Sequence, residues 1–405
     1  MTSKEDFVLV LGAGLTGQSV GKYLGNKKDF LFFDSRKQAD LPKNFLVNKN
    51  FISKLLEEKN IEYQNISEIV CSPGFDKEHL ILKKAKEYKI PITSDIEIFT
   101  KNDKSKKIII TGTNGKTTVS SMIEHVLNEN GFLAKAIGNI GTPVLDYIDK
   151  GLDYSILEVS SFQIESSGYL ESDIAIVLNI SADHLDKHHS FAEYVDLKNS
   201  IFKKAQKTIG SRSDNFISNN LDMYFEDRDI EIDDKNFNAV KAVIGSLKLS
   251  IDLEKSLKNF KKPAHRFEIF FKDSLGKLFI NDSKATNIGA SIEAINTAIK
   301  FGKINILCGG DGKGTNFSDF SSFLNKNCKN IILFGKDKDL IKKNIAKDKC
   351  FLIDDFKGAV LKAKELSSPN EVVLLSPACA SFDEFSNYEE RGNFFKKIIL
   401  DEKNH

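Results

Sequence analysis

The stretch of this chain best suited to chemistry runs from Ile108 to Thr118, where a β-branched apolar run ends in a glycine-rich turn and a Lys-Thr-Thr segment. Apolar residues at helical spacing follow, so the sequence predicts a strand, a loop and a helix. Loop N–H groups and the positive end of the helix dipole would converge on one point, which favours an anion. Lys116 would reach nucleotide phosphates and the Thr117 hydroxyl would bind Mg²⁺. The alternative is an ordinary glycine-rich turn, but Gly-Lys-Thr-Thr directly after a buried strand favours phosphate binding.

Lys198 interrupts the apolar face of a later predicted helix. Phe191 and Val195 precede it on that face, and Phe202 and Ala205 continue it. A lysine in an apolar stripe is costly unless its amine reaches solvent, finds a partner or loses its charge. A buried neutral amine could add CO₂ to form a carbamate, which is a carboxylate able to bind Mg²⁺. The stripe alone favours the first possibility, in which the amine extends to solvent.

A second glycine-rich turn lies near the N-terminus. The predicted strand 7–11 leads into Gly12–Gly17, a G-x-G-x-x-G pattern, and Asp34 ends the next strand about 20 residues further on. This pattern is typical of dinucleotide binding and raises an NAD(P)-dependent oxidoreductase as an alternative function. Ser72–Gly74 follow another predicted strand and are equally compatible with a ligand-contacting strand end and with a type II turn.

Further strand ends carry groups that can bind a metal ion. Glu158 follows one predicted strand, and Asp183 with His184 follows the next. Carboxylate and imidazole groups beside a phosphate-binding loop predict a Mg²⁺–phosphate site. His184, His188 and His189 could instead suggest zinc, but no cysteine or second histidine pair completes that set, so zinc is disfavoured.

The composition excludes several classes of protein. Lys and Arg total 58 against 57 Asp and Glu, and the net charge of +1 gives no electrostatic reason to bind nucleic acid. The five cysteines are scattered without a C-x-x-C pattern, which favours reduced thiols in a cytosolic protein. No apolar run approaches ~18 residues and no signal-peptide core is present, so we expect a cytoplasmic protein without membrane insertion.

Strand and helix patterns alternate along the chain, which predicts an α/β fold with parallel sheets. The length of 405 residues is too great for one typical core. Polar segments at 100–106 and 261–266 are candidate linkers, and residues 267–280 alternate around a turn as in a hairpin. The weak periodicity of 207–236 predicts an irregular connection. We therefore expect three domains, at 1–99, 100–263 and 264–405.

Several motifs together resemble the Mur ligase family over the whole length of the chain. The motifs are TGTNGKTT (111–118), GNIGTP (138–143), EVSSFQ (158–163), DHLD (183–186), HRFE (265–268), NDSKATN (281–287), GGDGKG (309–314) and LSPACASFDEFSNYEERG (375–392). The first motif and DHLD are shared with the wider superfamily, which includes folylpolyglutamate synthases. NDSKATN and the last motif are typical of the branch that adds D-glutamate.

The resemblance implies a reaction. ATP would phosphorylate the terminal carboxylate of UDP-N-acetylmuramoyl-L-alanine, and the amine of D-glutamate would attack the acyl phosphate, giving ADP and phosphate in peptidoglycan precursor synthesis. ATP, two Mg²⁺ ions and a monomeric enzyme are implied. The alternatives are a Mur ligase for another amino acid, a folylpolyglutamate synthase-like ligase and, in a different class, a P-loop switch protein that hydrolyses ATP.

The resemblance also implies a role for individual residues. ATP would contact Gly112, Thr113, Asn114, Gly115, Lys116, Thr117, Thr118, Asn238, Arg266 and Asp282. The UDP-sugar would contact Leu15, Thr16, Asp34, Arg36, Ser72, Pro73, Gly74, Asn139, Ser160 and Gln163. D-Glutamate would contact Lys284, Thr286, Lys313, Ser381, Phe382 and Tyr388. One Mg²⁺ would bind Thr117 and Glu158, and the other would bind His184 and a carbamate on Lys198. Lys116, His184 and Lys198 would be the catalytic residues.

The family resemblance changes the interpretation of Lys198 and of the first glycine-rich turn, and it leaves the contacts to adenine open. The family's modified lysine aligns with Lys198, which favours the carbamate over an amine extended to solvent. The first glycine-rich turn becomes a UDP-binding site in a Rossmann-like N-terminal domain, followed by a P-loop central domain and a Rossmann-like C-terminal domain that closes on ATP. Of the family's adenine-binding motif, which aligns with 234–238, only Asn238 is clearly retained.

Overall fold

The computed structural model of the protein describes residues 6–25, 27–168, 170–183, 188, 190–227 and 232–401. Two compact units divide the chain. The first unit comprises Met1–Ile180, Ala192–Arg228 and Asn236–Phe260, and the second comprises Ser181–Phe191, Asp229–Lys235 and Lys261–His405. Within the described ranges, no helix combines the length and the apolar character needed to cross a membrane.

The N-terminal part of the first unit is a parallel sheet with strand order β2-β1-β3-β4. Its elements are β1 (Phe7–Leu11), α1 (Leu15–Leu24), β2 (Phe30–Phe33), α2 (Lys43–Leu46), α3 (Lys49–Ile52), β3 (Ile66–Cys71), α4 (Leu80–Glu87), β4 (Ile92–Thr93) and α5 (Asp95–Asn102). The apolar run of β1 is buried from Val8 to Leu11. A Cβ at Gly17 would overlap the carbonyl oxygen of Gly12, so glycine is required for α1 to pack this closely on the loop after β1.

A second parallel sheet follows in the same unit, with strand order β10-β9-β8-β5-β7-β6. Its elements are β5 (Lys106–Thr111), α6 (Lys116–Glu129), β6 (Ala134–Gly138), β7 (Tyr154–Glu158), α7 (Ser161–Glu165), β8 (Ser172–Val177), α8 (Phe191–Asn199), β9 (Ala205–Ser211), β10 (Met223–Phe225), α9 (Ile232–Ser246) and α10 (Leu253–Leu257). Strand β5 lies inside the sheet, which places the loop after it among the carboxyl ends of the neighbouring strands.

Three local predictions in this region were wrong. Residues 100–106 are not simply a linker, because α5 continues to Asn102 and β5 begins at Lys106. Residues 207–236 are not simply irregular, because β9 pairs in parallel with both β8 and β10 at the end of the sheet, and β10 has only three residues, too few to show an alternating pattern. The apolar face drawn through Lys198 is not one helix, because α8 ends at Asn199 and Ala205 opens β9.

The second unit contains a sheet with strand order β11-β12-β16-β13-β14-β15. Its elements are β11 (Glu268–Lys272), β12 (Leu278–Asn281), α11 (Ile288–Ala298), β13 (Ile304–Gly309), α12 (Ser318–Asn327), β14 (Asn330–Phe334), α13 (Lys338–Lys342), β15 (Cys350–Leu352), α14 (Phe356–Leu366), β16 (Val372–Leu375) and α15 (Tyr388–Asp401). Strands β11 and β12 are antiparallel, which confirms the predicted hairpin, and the other pairs are parallel.

The architecture confirms an α/β fold with parallel sheets. The first unit contains two of the sheets, although the sequence predicts a separate domain for each. The boundaries at 99/100 and 263/264 therefore stay a prediction.

Candidate active site

The loop after β5 has the geometry predicted for a phosphate-binding turn. Gly112 has φ 154° and Gly115, directly before α6, has φ 85°, both unfavourable for other residues. A Cβ at Gly112 would lie 3.0 Å from the Cβ of Leu178, so a larger residue would push the loop from the sheet. The Lys116 Nζ donates to the carbonyl oxygens of Gly112 at 2.7 Å and Thr113 at 3.0 Å, which holds the amine over the loop.

Asn179, which the sequence analysis did not assign, fixes this loop. Its carbonyl oxygen accepts the Thr113 N–H at 2.9 Å, and its Oδ1 accepts the Asn114 N–H at 2.9 Å. Its Nδ2 donates in return to the Asn114 carbonyl at 3.1 Å. Asn179 comes just after the apolar run of β8, and a polar residue at that end of a parallel strand is the signal that could have found it.

Lys198 does not extend to solvent, and the prediction from its stripe alone was wrong. The side chain is 1% exposed and its Nζ lies 3.0 Å from the Gly112 carbonyl oxygen. The same Nζ is 3.5 Å from the Thr111 Oγ1 and 4.6 Å from the centre of the Tyr194 ring. The amine can stay inside the protein because tertiary contacts bring it to a backbone oxygen and a hydroxyl oxygen of the phosphate-binding loop, which accept its hydrogen bonds. The Tyr194 hydroxyl in turn lies 3.2 Å from the Thr113 Oγ1.

Glu158 ends β7 as a buried carboxylate, 2% exposed. Its Oε1 accepts the side-chain N–H of Asn139 at 2.9 Å, and its backbone carbonyl accepts the Asn139 N–H at 2.8 Å. Within the described part of the chain, the Glu158 Oε2 has no hydrogen-bond partner. A buried carboxylate oxygen without a donor is costly unless a cation neutralises it, so Glu158 fits Mg²⁺. Thr117, in the first turn of α6, offers the hydroxyl that such a site also uses.

The remaining predicted metal ligands are only partly within the described residues. His184 lies outside them, as does His189 of the disfavoured zinc set. Among the residues that the structure describes, no group of three His, Cys, Asp or Glu side chains is arranged to hold a metal ion. The oxygens of Thr117 and Glu158, predicted for one of the two ions, would match the preference of Mg²⁺ for oxygen ligands.

Ser160 and Gln163, both predicted to contact the UDP-sugar, form a reciprocal cap at the start of α7. The Ser160 Oγ accepts the Gln163 N–H at 3.3 Å, and the Gln163 Oε1 accepts the Ser160 N–H at 2.9 Å. The cap satisfies donors that a helix otherwise leaves free. These two side chains are thereby held at the carboxyl end of β7, near Glu158 in the chain.

The carboxyl ends of β1, β2 and β3 bring the N-terminal candidates together. Asp34 accepts the Ala13 N–H at 2.7 Å and is bidentate with Arg36 at 2.9 and 2.7 Å. Burial opposes ionisation of Asp34, but the bonds from Arg36 and the backbone outweigh it and lower the pKa of this carboxyl. A Cβ at Gly12 would lie 2.8 Å from the Ser72 Oγ, so the glycine turn and the end of β3 are adjacent.

The remaining residues of this group lie on the surface or in a turn. Leu15 is 66% exposed, Thr16 and Pro73 are half-buried and Gly74 is exposed. The Phe75 N–H donates to the Ser72 carbonyl at 3.0 Å, so a turn does form here. It is not type II, because that turn needs a positive φ at its third residue and Gly74 does not have one.

In the second unit, Asp282 follows β12 as a buried carboxyl group. Its Oδ1 accepts the Phe267 N–H at 3.0 Å and its Oδ2 accepts the Ser376 hydroxyl at 2.9 Å. Burial raises the pKa of Asp282 to about 7, an effect that the hydrogen bonds and the charge of Arg266 only partly offset. The two predicted nucleotide contacts of this unit therefore interact electrostatically, because the charge of Arg266 favours the ionised form of Asp282.

Two lysines supply the positive charge of the predicted D-glutamate group. The Lys284 Nζ lies 4.2 Å from the centre of the Tyr388 ring, a cation–π distance. The Lys313 Nζ lies 3.7 Å from a carboxylate oxygen of Asp183. Asp183 also accepts the Asn287 side-chain N–H at 3.2 Å. Lys284 and Tyr388 thus lie together, as do Lys313 and the first aspartate of the DHLD motif, Asp183.

The other members of that group are on neighbouring loops. Ser381 is buried and accepts the Phe385 N–H through its carbonyl at 2.8 Å, whereas Phe382 is 73% exposed. Thr286 is half-buried, and its N–H donates to the Lys284 carbonyl at 2.8 Å.

The altered adenine motif has a second asparagine that the sequence analysis passed over. Asn236 is 8% exposed, and its Oδ1 would lie 3.2 Å from a Cβ at Gly115, so it borders the phosphate-binding loop. Asn238, the residue assigned from sequence, donates to the Glu226 carbonyl at 2.9 Å. Thr118, the last ATP candidate, is buried in the first turn of α6.

Comparisons with known proteins agree with these motifs. The model of the Mur ligase middle domain matches residues 110–281, and that of the Mur ligase glutamate ligase domain matches 265–379. The chain is 35% identical over 420 residues to UDP-N-acetylmuramoylalanine--D-glutamate ligase of Francisella philomiragia, covering 98% of this chain and 97% of the relative. A relative of the same name from Buchnera aphidicola is 35% identical over 435 residues, with 97% of each chain covered.

Solved structures share the fold at low sequence identity. The UDP-N-acetylmuramate-alanine ligase of Thermotoga maritima aligns with TM-score 0.61 and 16% identity, covering 98% of this chain and 99% of that one. The MurF ligase of the same organism, solved in complex with ADP, aligns with TM-score 0.60 and 16% identity over 99% and 100% of the two chains. With these folds, the family models and relatives of 35% identity over nearly the whole length, the chain belongs to the Mur ligase family and is a ligase enzyme.

Proposed function

We propose that this enzyme joins D-glutamate to UDP-N-acetylmuramoyl-L-alanine at the expense of ATP, in peptidoglycan precursor synthesis. The observation that carries the proposal is the 35% identity, over nearly the full chain, to relatives named as ligases of this type. The NAD(P)-dependent oxidoreductase alternative depended on the first glycine-rich turn alone, and a phosphate-binding loop has no role in it.

The proposed reaction has two steps, and the first brings the carboxylate of the sugar-peptide against the negatively charged phosphates of ATP. A carboxylate oxygen of the sugar-peptide attacks the γ-phosphorus of ATP, ADP leaves, and an acyl phosphate forms. The neutral amine of D-glutamate then adds to the acyl carbon, and phosphate leaves with the oxygen that came from the carboxylate. The first step brings anions together, so Lys116 and the N–H groups of the loop supply electrostatic stabilisation.

Glu158 and Thr117 would hold one Mg²⁺, and His184 with Lys198 would hold the other. When bound, these ions would neutralise charge on the phosphates. Lys198 would serve as a ligand after its amine adds CO₂ and releases a proton, giving a carbamate. Support comes from its surroundings: the Gly112 carbonyl accepts from both Lys116 and Lys198, and two ammonium groups at one oxygen repel each other. Conversion of Lys198 to an anion removes that repulsion.

The three sheets would divide the substrates among them, as expected for domains at 1–99, 100–263 and 264–405. The Rossmann-like first domain would hold the UDP group, since backbone and side-chain donors gather near Asp34 and Ser72. Asn139, Ser160 and Gln163 would hold the sugar-peptide. The C-terminal domain would hold D-glutamate, whose carboxylates suit the ammonium groups of Lys284 and Lys313.

The experiment is phosphate release from ATP in the presence of UDP-N-acetylmuramoyl-L-alanine, with each of several amino acids. D-Glutamate is compared with L-glutamate, meso-diaminopimelate and L-lysine, and a folate substrate replaces the UDP-sugar in a parallel series. Release that requires both the UDP-sugar and D-glutamate supports the proposal. Release with another amino acid, with a folate, or from ATP alone would refute it in favour of a sister ligase, a folylpolyglutamate synthase or an ATPase.

A further inference from the structure

Arg391, near the start of α15, is among the largest fully buried side chains of the chain, with 0% exposure. Its Nε donates to the Ser283 hydroxyl at 3.0 Å, and its Nη2 donates to the Ser283 carbonyl at 2.9 Å. The guanidinium also donates to the carbonyl oxygens of Cys379 at 3.1 Å and Ala380 at 3.3 Å. One side chain therefore connects the start of α15 to two other segments, one at Ser283 and the other at Cys379 and Ala380.

The burial of this charge needs an explanation. In the described part of the chain the guanidinium is bonded to oxygens of the backbone and of one hydroxyl, rather than to a carboxylate. Burial lowers the pKa of Arg391 to about 10, so it stays protonated near neutral pH. A buried charge is costly and its contribution to stability is weak, whereas its planar set of donors fixes geometry well.

The segments that Arg391 joins carry the amino-acid candidates. Ser283 directly precedes Lys284, and Ala380 directly precedes Ser381. The Ser283 hydroxyl donates onward to the carbonyl of Tyr388, at 2.8 Å, which ties the first segment to the start of α15. The guanidinium thus spans the distance between the Lys284 loop and the Ser381 loop.

We propose that Arg391 is a positioning residue which, given the proposed function, sets the spacing of the loops that bind the D-glutamate carboxylates. It contacts no substrate itself. It fixes the backbone on which Lys284 and Ser381 are mounted, so that the ammonium and hydroxyl groups meet both ends of a dicarboxylic amino acid.

Asp282 provides the contrast that makes the proposal testable. Although it is adjacent to Ser283, its carboxyl group is held by Phe267 and Ser376, and its N–H by the carbonyl of Leu375 at 2.8 Å. None of these bonds involves Arg391. Loss of the guanidinium should therefore disturb the amino-acid loops while leaving the nucleotide candidate in place.

The test uses the full-length Arg391→Lys and Ser283→Ala variants, with Lys397→Met as the control. Lys397 is exposed on the same helix. Arg391→Lys keeps a charge but lacks the planar set of donors that reaches both Ser283 and the carbonyls of Cys379 and Ala380, so the KM for D-glutamate should rise about tenfold or more, while the KM values for ATP and the UDP-sugar stay within about twofold. Ser283→Ala should give a smaller rise of the same kind, and Lys397→Met should give none.

The contrary results are distinct. An unchanged KM for D-glutamate in Arg391→Lys, or equal rises for all three substrates together with a lower melting temperature, would overturn the positioning role. If Arg391→Lys does not fold, Ser283→Ala decides by the same comparison. Wild-type activity is measured first. If it requires a different amino acid, the proposed function fails. The KM for that amino acid, compared with the KM values for ATP and the UDP-sugar, still decides the role of Arg391.

Discussion

The amine of Lys198 lies 3.0 Å from the carbonyl oxygen of Gly112, so a lysine buried on α8 is bonded directly to the phosphate-binding loop. A carbamate formed at this amine would place an anion beside the loop, where Mg²⁺ and the phosphates of ATP would bind. The position of Lys198, inside the protein and against this loop, is what makes the modification testable.

Lys198→Ala should reduce ligase activity by about a thousandfold or more, because the proposed carbamate ligand of Mg²⁺ is lost. Acetate or formate added at high concentration should restore part of that activity, since either can supply a carboxylate in the space left by the side chain. The measurement is phosphate release with and without added carboxylate, with chloride at the same ionic strength. The matched control is Lys204→Ala, which removes an exposed lysine from the segment after α8. Full activity of Lys198→Ala would contradict the carbamate.

Glu158→Gln should raise the Mg²⁺ concentration needed for half-maximal activity by about tenfold, because an amide is a weaker ligand than a carboxylate. The melting temperature should change little, since Gln can still accept the Asn139 N–H and the charge that is removed is buried. The measurement is a Mg²⁺ titration of activity with a thermal melt. Glu165→Gln, at the exposed end of α7, is the control. An unaltered Mg²⁺ titration of Glu158→Gln would remove this residue from the metal site.

Lys313→Ala should raise the KM for D-glutamate by about tenfold and leave the KM for ATP nearly unchanged, because one charged bond to a substrate carboxylate is lost. Lys313 has a φ of 51°, which is about as unfavourable for Ala as for Lys. The substitution therefore adds no backbone strain that could itself change the KM. Lys336→Ala is the control: its Nζ is 3.2 Å from Asp311, but it is largely exposed. Equal effects of the two substitutions would exclude Lys313 from the pocket.

Asp282 should make stability depend on pH. Its pKa is raised by burial to about 7 in the folded protein, against about 3.9 when unfolded. Between these values the folded state binds more protons, so stability should fall as pH rises from about 4 to about 7. One pKa unit corresponds to about 1.4 kcal/mol, which makes the effect a few kcal/mol.

Asp282→Asn should flatten this pH dependence, because an amide does not titrate. The measurement is the urea midpoint without nucleotide at pH 5 and pH 8, which should differ less in the variant than in the wild type. Asp319→Asn, exposed in the first turn of α12, serves as the control. A wild-type difference that persists unchanged in Asp282→Asn would assign the pH dependence to other groups.

The parts of the fold and site that depend on local pattern could be predicted from the sequence. The strand, loop and helix around Lys116 are set by neighbouring residues, and the hairpin of β11 and β12 follows from alternation around a turn. The α/β class follows from the alternation of such elements along the chain.

The parts that depend on contacts between distant residues could not be predicted. The burial of Lys198 depends on Gly112, which is 86 residues away, and the bonds of Arg391 reach Ser283, 108 residues away. Strand β9 pairs in parallel with β8 and β10, and β10 has only three residues, too few for an alternating pattern to reveal it in the sequence. The role of Asn179 depends on its hydrogen bond to Asn114 in the phosphate-binding loop, 65 residues away in the chain.

The most direct test of the proposed reaction follows one oxygen atom. UDP-N-acetylmuramoyl-L-alanine labelled with ¹⁸O in its terminal carboxylate is incubated with ATP, D-glutamate and the wild-type enzyme, and products are analysed by mass spectrometry. An acyl-phosphate mechanism predicts a UDP-sugar product with one D-glutamate added and inorganic phosphate that carries one ¹⁸O atom. Phosphate without the label, or no ligated product, would contradict it.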